Sequence, residues 1–280
     1  MSLKGLNVRR SIGKVSLYFF IVALSILSTF PLLWIVITSL KPPTEVFSEK
    51  LTLSIEFTIE NYAKLFTSGR PVSKAFFNSI LIASTTTFIV ITLASLSGYA
   101  LARFELKYKE GFYFFVLTLR IIPAAVLVVP YYLMYNELRL LDTIPGMILV
   151  YTFINLPFAI WLLRQAFEEI PRSYEEAALI DGCSYLGVFF RVAIRLISPA
   201  LIATGIFTFV STWNEFVFAL ILTRYNALTY TALIPGFFGA RRIEWDLLMP
   251  LNTIAIIPPL IFVVLARRFL IRGLTTGIVK

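Results

Sequence analysis

Hydrophobic positions along this chain gather into six long runs, separated by more polar connections, of which Lys41 to Lys74 and Thr223 to Asp246 are long. They are Val15 to Leu40, Ala75 to Ala102, Phe112 to Tyr135, Ile144 to Leu163, Leu196 to Leu222 and Leu247 to Ala266. Each supplies about the 20 apolar residues a helix needs to cross a bilayer, where every backbone N–H and C=O must be satisfied within the segment. The pattern predicts an all-α membrane protein with six transmembrane helices, forming one transmembrane domain over residues 1–280 with no separate soluble domain. The third run carries Arg120 and the fifth Glu215, and the other four carry no charge. Prolines in or beside the runs (Pro31, Pro123, Pro130, Pro157, Pro199, Pro258, Pro259) imply kinks. Kinks suit a bundle that moves, and they equally reflect how common proline is in membrane helices.

One polar stretch breaks this rhythm between the fourth and fifth runs. The segment EEAALIDGCSYLGVFFRV, Glu175 to Val192, reads as two short helices hinged at a glycine. Ser173 followed at the third position by Glu176 is a capping-box pattern, and Pro171 just upstream helps end the preceding helix. Gly182 can take the left-handed conformation that stops the first helix. The second helix then carries Phe189, Phe190 and Val192 into the membrane surface, with Arg191 and Arg195 one turn apart. Tyr174, Ala177, Ala178 and Asp181 fall along one helical stripe, and adjacent alanines leave little side chain to hold another protein away. Such a helix fits a partner's groove. On chemistry alone, self-capping by Glu176 and the helix preference of alanine explain the same residues.

Composition narrows the classes. With 58% hydrophobic and 15% charged residues the chain departs from soluble domains. Its net charge of +9 raises nucleic acid as a partner, but position argues otherwise. Residues 1–14, 103–110, 164–195 and 267–280 hold 15 of the basic side chains, whereas 41–74, 136–143 and 223–246 hold 9. Both termini and the EEAALIDG stretch are therefore expected in the cytoplasm, with no nucleic-acid partner. The basic start (Lys4, Arg9, Arg10, Lys14) leads into a run too long for a signal-peptide core, which reads as a retained signal anchor. One cysteine, Cys183, and no histidine exclude an intramolecular disulfide, a Cys/His zinc site and histidine-based triads, so neither catalytic nor metal residues are expected. The chain also lacks a G-x-x-x-x-G-K-S/T phosphate loop.

Three further places hold candidate chemistry. Arg120 lies about eight residues into its run, roughly 12 Å along a helix, where it is either a donor on a solute pathway or a structural tie. Trp213, Asn214 and Glu215 sit near the outer end of the fifth run, where the aromatic can anchor at the interface and the acid can be hydrated. In the loop IPGFFGARRIEWD, Ile234 to Asp246, Gly236 and Gly239 permit a sharp turn around Phe237 and Phe238. An ordinary hydrated connection with Trp245 at the interface fits that loop as well. Aromatic residues such as Phe19, Phe20, Phe114 and Phe115 offer faces either to a solute or to lipid and core.

The run EAALIDG resembles the EAA motif of the membrane permease subunits of binding-protein-dependent ABC importers: E-A-A, three residues, Gly, nine residues, then I-x-L-P. Glu176, Ala177, Ala178 and Gly182 match it. Val192 and Ile194 replace the Ile and Leu, and Arg195 stands in place of the proline, with the next proline at Pro199. Further echoes of the MalG-like carbohydrate permeases are SLKP (Ser39 to Pro42), IENY (Ile59 to Tyr62), NSIL (Asn78 to Leu81), YALARF (Tyr99 to Phe104), LPFAIWLLR (Leu156 to Arg164) and WNEFVFAL (Trp213 to Leu220).

The resemblance implies a type I ABC importer permease fold in the cell membrane, with the EAA helix as the coupling helix that docks on a cytoplasmic ATPase. It implies a second permease subunit, two ATPase subunits that hold the ATP and Mg2+, an extracellular or periplasmic solute-binding protein, and a sugar or oligosaccharide as solute. This chain would bind no cofactor and be no enzyme. The resemblance also assigns Trp213 to Glu215 to the pathway or its gate, Gly236 to Gly239 to the binding protein's cleft, and Gly273 to Lys280 to the ATPase dimer. Rival expectations are an ion-coupled secondary transporter using Arg120 and Glu215 as its charged pair, and a membrane scaffold that passes nothing.

Overall fold

A computed structural model describes residues 3–46, 57–105, 107–118, 121–239 and 242–276. Among them, regular structure is helical, and β pairing is confined to one isolated bridge between Phe238 and Ile243. The principal helices are α1 (Leu3–Ser39), α2 (Glu60–Thr67), α3 (Val72–Arg103), α4 (Lys109–Thr118), α5 (Ala124–Glu137) and α6 (Ile144–Glu168). They continue as α7 (Ser173–Ile180), α8 (Tyr185–Val188), α9 (Ser198–Trp213), α10 (Val217–Leu222), α11 (Tyr230–Leu233) and α12 (Trp245–Thr276).

Among the described residues, four segments are long and apolar enough to cross a membrane: Ser16–Ser39, α3, α6 and Trp245–Leu265. Tyr185–Leu196 and α9 form a further candidate, bent by 76°. The expected third span, 112–135, is laid out as α4 and α5, with Pro123 in extended conformation at the N-cap of α5. Arg120 lies outside the described residues. The run 196–222 is also divided, since α9 stops at Trp213 and α10 starts at Val217.

The chain comprises two compact units, residues up to 70 with 237–254, and residues 71–236 with the chain from 255 onward. In the first, the SLKP and IENY segments meet. Pro42 and Pro43 end α1, and the Asn61 amide donates to the freed carbonyls of Ser39 (3.1 Å) and Lys41 (2.7 Å), while the Ser39 and Tyr62 hydroxyls pair at 2.7 Å. Buried carbonyls at a helix end need such a partner because water is absent there.

The second unit is built on α3, which packs most extensively on α6, with α9 against both. Gly98 permits the closest part of the α3–α6 contact: a Cβ there would stand 2.9 Å from the Arg164 backbone nitrogen. One apolar cluster includes Leu101, Leu163, Phe167, Phe189 and Ile197, and another includes Ile82, Tyr135, Tyr151, Phe218 and Leu222. Polar side chains inside the bundle turn back on their own helices. Ser79, Thr87, Thr204 and Thr208 each donate to the carbonyl four residues earlier at 2.7–2.9 Å, and the Ser79 Oγ also accepts from the Tyr230 N–H at 2.9 Å.

Candidate functional site

Helix α7 occupies Ser173–Ile180, so the EAA residues are helical, but its start differs from the expected capping box. Arg172 is already right-handed (φ −59°, ψ −25°) and caps with no side chain. The Ser173 hydroxyl therefore does not stand at an extended N-cap, the geometry that a capping box requires. Instead the Glu175 and Glu176 amides donate to the Arg172 carbonyl at 2.9 and 3.0 Å.

The end of α7 is a complete Schellman motif. Gly182 has φ +86°, its N–H donates to Leu179 O at 3.0 Å, and the Cys183 N–H donates to Ala178 O at 3.0 Å. Ser184 follows in extended conformation and its Oγ accepts from the Gly187 N–H at 3.2 Å, opening α8. One glycine and one serine thus make the hinge.

Around this hinge the two neighbouring glutamates part company. Tyr174, Glu176, Ala177 and Asp181 are exposed and Ala178 is half-buried, so the stripe read from the sequence faces outward. Ile180 is 86% exposed, and Tyr185, Leu186 and Phe190 extend the apolar surface beside it. Glu175 is 7% exposed. Its carboxylate accepts from Arg103 Nε at 2.8 Å and from the Tyr99 hydroxyl at 2.9 Å, and Arg103 Nη2 donates to Ile170 O at 3.1 Å. A small cleft of about 140 Å³ between these groups is lined also by Arg172, Glu176, Leu179 and Tyr185. Sequence reasoning missed Glu175: helical spacing sets both Glu175 and Glu176 off the stripe and does not say which of them meets the bundle.

Beyond α8 the chain passes through a π-helical turn, Phe189–Ala193, and reaches Ile194–Leu196. Of the three residues expected at the membrane surface, Phe189 is buried in the bundle, Val192 is half-buried and Phe190 is exposed. Arg195 stays helical. The break comes at Ile197, and Pro199 enters the first turn of α9, so the bend is supported by a proline four residues beyond the motif's own.

Trp213, Asn214 and Glu215 form the junction between α9 and α10. Trp213 is 2% exposed, which corrects the interfacial-anchor reading: its Nε1 donates to Ala255 O at 3.1 Å and its ring stacks on Phe209 and Tyr230. Glu215 accepts from the Tyr151 hydroxyl at 2.9 Å and from the Phe218 and Ala219 amides at 3.1 and 3.2 Å, capping α10. Asn214 remains exposed while its Oδ1 accepts from the Tyr230 hydroxyl at 3.2 Å.

Nearby, Asp142 does what no sequence motif announced. With φ +55°, it places its carboxylate against the N–H groups of Arg224, Tyr225, Asn226 and Ala227 at 2.8–3.1 Å. Partial burial pushes the carboxyl up, but the N–H groups of Asn226, Arg224, Ala227 and Tyr225 together outweigh it and hold it below its ordinary value. The Asn78 amide donates to Asn226 O and Leu228 O, at 2.9 and 3.0 Å, from the other side. The only sequence signal was Asn78, within NSIL.

In the loop carrying Gly236, Phe237, Phe238 and Gly239, Phe237 is buried and Phe238 is 54% exposed. The Arg70 guanidinium lies 4.4 Å from the Phe237 ring centre and binds both Glu244 oxygens, at 2.8 and 3.0 Å. The hydrogen bond from Arg70 holds the Glu244 carboxyl below its ordinary range against partial burial, aided by the charges of Arg70 and Arg242. A Cβ on Gly239 would stand 3.0 Å from Arg242 O, a tight contact that a small displacement of the loop would have to relieve. Among the described residues no group of three or more His, Cys, Asp or Glu could hold a metal ion.

Comparison with known proteins agrees with this architecture. Residues 91–276 match the family described as binding-protein-dependent transport system inner membrane component. The chain is 36% identical over 257 residues to the trehalose transport system permease protein SugB of Mycobacterium tuberculosis, covering 89% of this chain and 92% of that one. It is 34% identical over 253 residues to the sulfoquinovosyl glycerol transport system permease protein SmoH of Agrobacterium fabrum, covering 90% and 88%. A bacterial ABC transporter involved in import of the acidic polysaccharide alginate shares the fold, with a TM-score of 0.76 at 20% identity, covering 96% of this chain and 98% of that one. The chain belongs to the binding-protein-dependent transport system inner membrane component family, and is a non-catalytic ABC importer permease.

Proposed function

We propose that this permease imports a sugar or oligosaccharide, with α7 as the coupling helix on a cytoplasmic ATPase. The observation that carries the reading is the two-sided construction of α7: its inner side is tied to the bundle while Tyr174, Glu176, Ala177 and Asp181 stand exposed. A small-residue stripe beside exposed Ile180 suits a groove on a partner. The carbohydrate assignment draws on relatives named for trehalose and sulfoquinovosyl glycerol transport.

In this reading both termini and α7 are cytoplasmic, and six spans pair with those of a second permease. Two ATPase subunits bind ATP and Mg2+ and close, carrying the coupling helices together, and the cavity turns outward to receive solute from a docked binding protein. Asn214, exposed at the α9–α10 break, is the pathway residue of its cluster, whereas Trp213 and Glu215 hold the break in shape. Phe238, exposed between Gly236 and Gly239, faces the binding protein. The third-run Arg120 is a pathway candidate on its intramembrane charge alone.

The test is uptake of labelled trehalose, maltose and arabinose oligosaccharides by proteoliposomes holding the whole complex. ATP-dependent uptake of one of them is expected, and Glu176→Lys should lose ATPase co-purification. Uptake driven by an ion gradient with no ATPase present would overturn the reading.

A further inference from the structure

The tie on the inner side of α7 has a role of its own. The α7 backbone packs on the segments that follow it in sequence, Tyr185–Val188 and Phe189–Ala193. Its connection to α3 runs through long side chains: Glu175 on α7, and Arg103 and Tyr99 in the last turns of α3. Both charged side chains are nearly buried, at 10% and 9% exposure. An exposed pair of this kind would hold little, because water and salt screen it and its geometry is loose. Buried and fully engaged, it is stiff, since displacing either group strands a charge or a hydroxyl away from water.

The surroundings stiffen it further. Arg103 Nη2 is held by Ile170 O, just past the end of α6. The Tyr99 ring meets Phe167 of α6 and Phe189 of the π-turn edge-on, with centroids 5.2 and 5.0 Å apart. Tyr99 therefore joins α3, α6, the hinge segment and Glu175 at one point, and α3 is the helix that packs most widely against the rest of its unit.

We propose that Glu175, clamped by Arg103 and Tyr99, is the positioning residue that carries a displacement of α7 directly into α3, so that transmission bypasses the Gly182 hinge. Glu175 and Glu176 then divide the work: one holds the bundle, the other meets the partner. This rests on the coupling reading of α7.

The experiment uses the whole complex in lipid nanodiscs, in a Cys183→Ser background, with spin labels measured by pulsed dipolar spectroscopy. One distance runs from Ile180 to the ATPase; the other runs from Phe88, 74% exposed on α3, to the second permease. Both should change in the wild type when ATP, Mg2+ and vanadate are added. In Glu175→Gln and Arg103→Lys the Ile180 change should persist while the Phe88 change falls by at least half, and Tyr99→Phe should give a smaller loss. Tyr99→Phe keeps every ring contact, so it decides the question if the charge variants fail to assemble. A wild-type Phe88 response in the assembled variants overturns the clamp alone. No Ile180 response in the wild type would instead remove the coupling role of α7, and the clamp with it.

Discussion

Gly98 and Arg164 lie where two membrane helices touch backbone to backbone. A Cβ on Gly98 would stand 2.9 Å from the Arg164 amide nitrogen and 3.2 Å from the Leu163 carbonyl carbon, so α3 and α6 cannot keep this distance with any side chain there. Gly98→Ala should lower stability and Gly98→Val should lower it further, by about 1–3 kcal/mol for overpacking. Thermal unfolding in detergent measures it. A valine variant as stable as the wild type would contradict the close approach.

Arg164 is also the centre of a second tie. It binds Glu110 of α4 through both terminal nitrogens (2.6 and 3.2 Å) and Glu168 through Nε (2.7 Å). The arginine is buried but its two acids are much more exposed, at 61% and 43%, so neither is left as a buried unpaired charge if it is removed. Arg164→Met should therefore loosen α4 locally rather than unfold the bundle. Amide exchange across Lys109–Thr118 is expected to quicken while α6 stays protected; equal quickening of both helices would speak against a local tie.

The Asp142 carboxylate gathers four backbone N–H groups, so its folded value lies below its ordinary 3.8. A depressed acid adds stability that is fully present above the unfolded value and is lost as pH falls through the folded one. Asp142→Asn should cost about 1.5–3 kcal/mol at neutral pH, as expected for hydrogen bonds to a charged group. The gap between wild type and variant should begin to close only near and below pH 3.8. A gap that closes near pH 6 would show that Asp142 is not the titrating group.

Glu215 replaces the backbone acceptors missing at the start of α10, and the Tyr151 hydroxyl fixes its second side. Glu215→Ala should cost about 1–2 kcal/mol as a lost cap, with faster amide exchange in Val217–Leu222. Tyr151→Phe removes one of three donors and should do less. Unchanged exchange in Glu215→Ala would mean that α10 is held by packing alone.

How much of this was legible in the chain differs from residue to residue. The Gly182 turn was, because positive φ is a property of glycine itself and the preceding helical pattern says where it is needed. That Tyr174, Ala177, Ala178 and Asp181 share a stripe of α7 was too, because helical spacing alone sorts residues by face, although it does not say which way the face turns. The capping box at Ser173 failed for want of one dihedral, set at Arg172 by how the chain leaves α6. Trp213 has the composition of an interfacial residue, yet Ala255, 42 positions away, supplies the carbonyl that accepts its N–H hydrogen bond inside the bundle. Asp142 had no local signal at all: its four donors come from residues 224–227.

The amino-acid sequence by itself determined the solvent this protein is built for, the apolar runs, the glycine hinge and the membership of a permease family. Those depend on local hydrophobicity, local backbone freedom and contiguous motif residues. Tertiary structure decided which polar groups serve as ties: Glu175 rather than Glu176 turned inward, Glu215 became a cap, and Asp142 became an anchor. A carboxylate turned from water must find partners, and which donors come within hydrogen-bonding reach is settled only when distant segments pack.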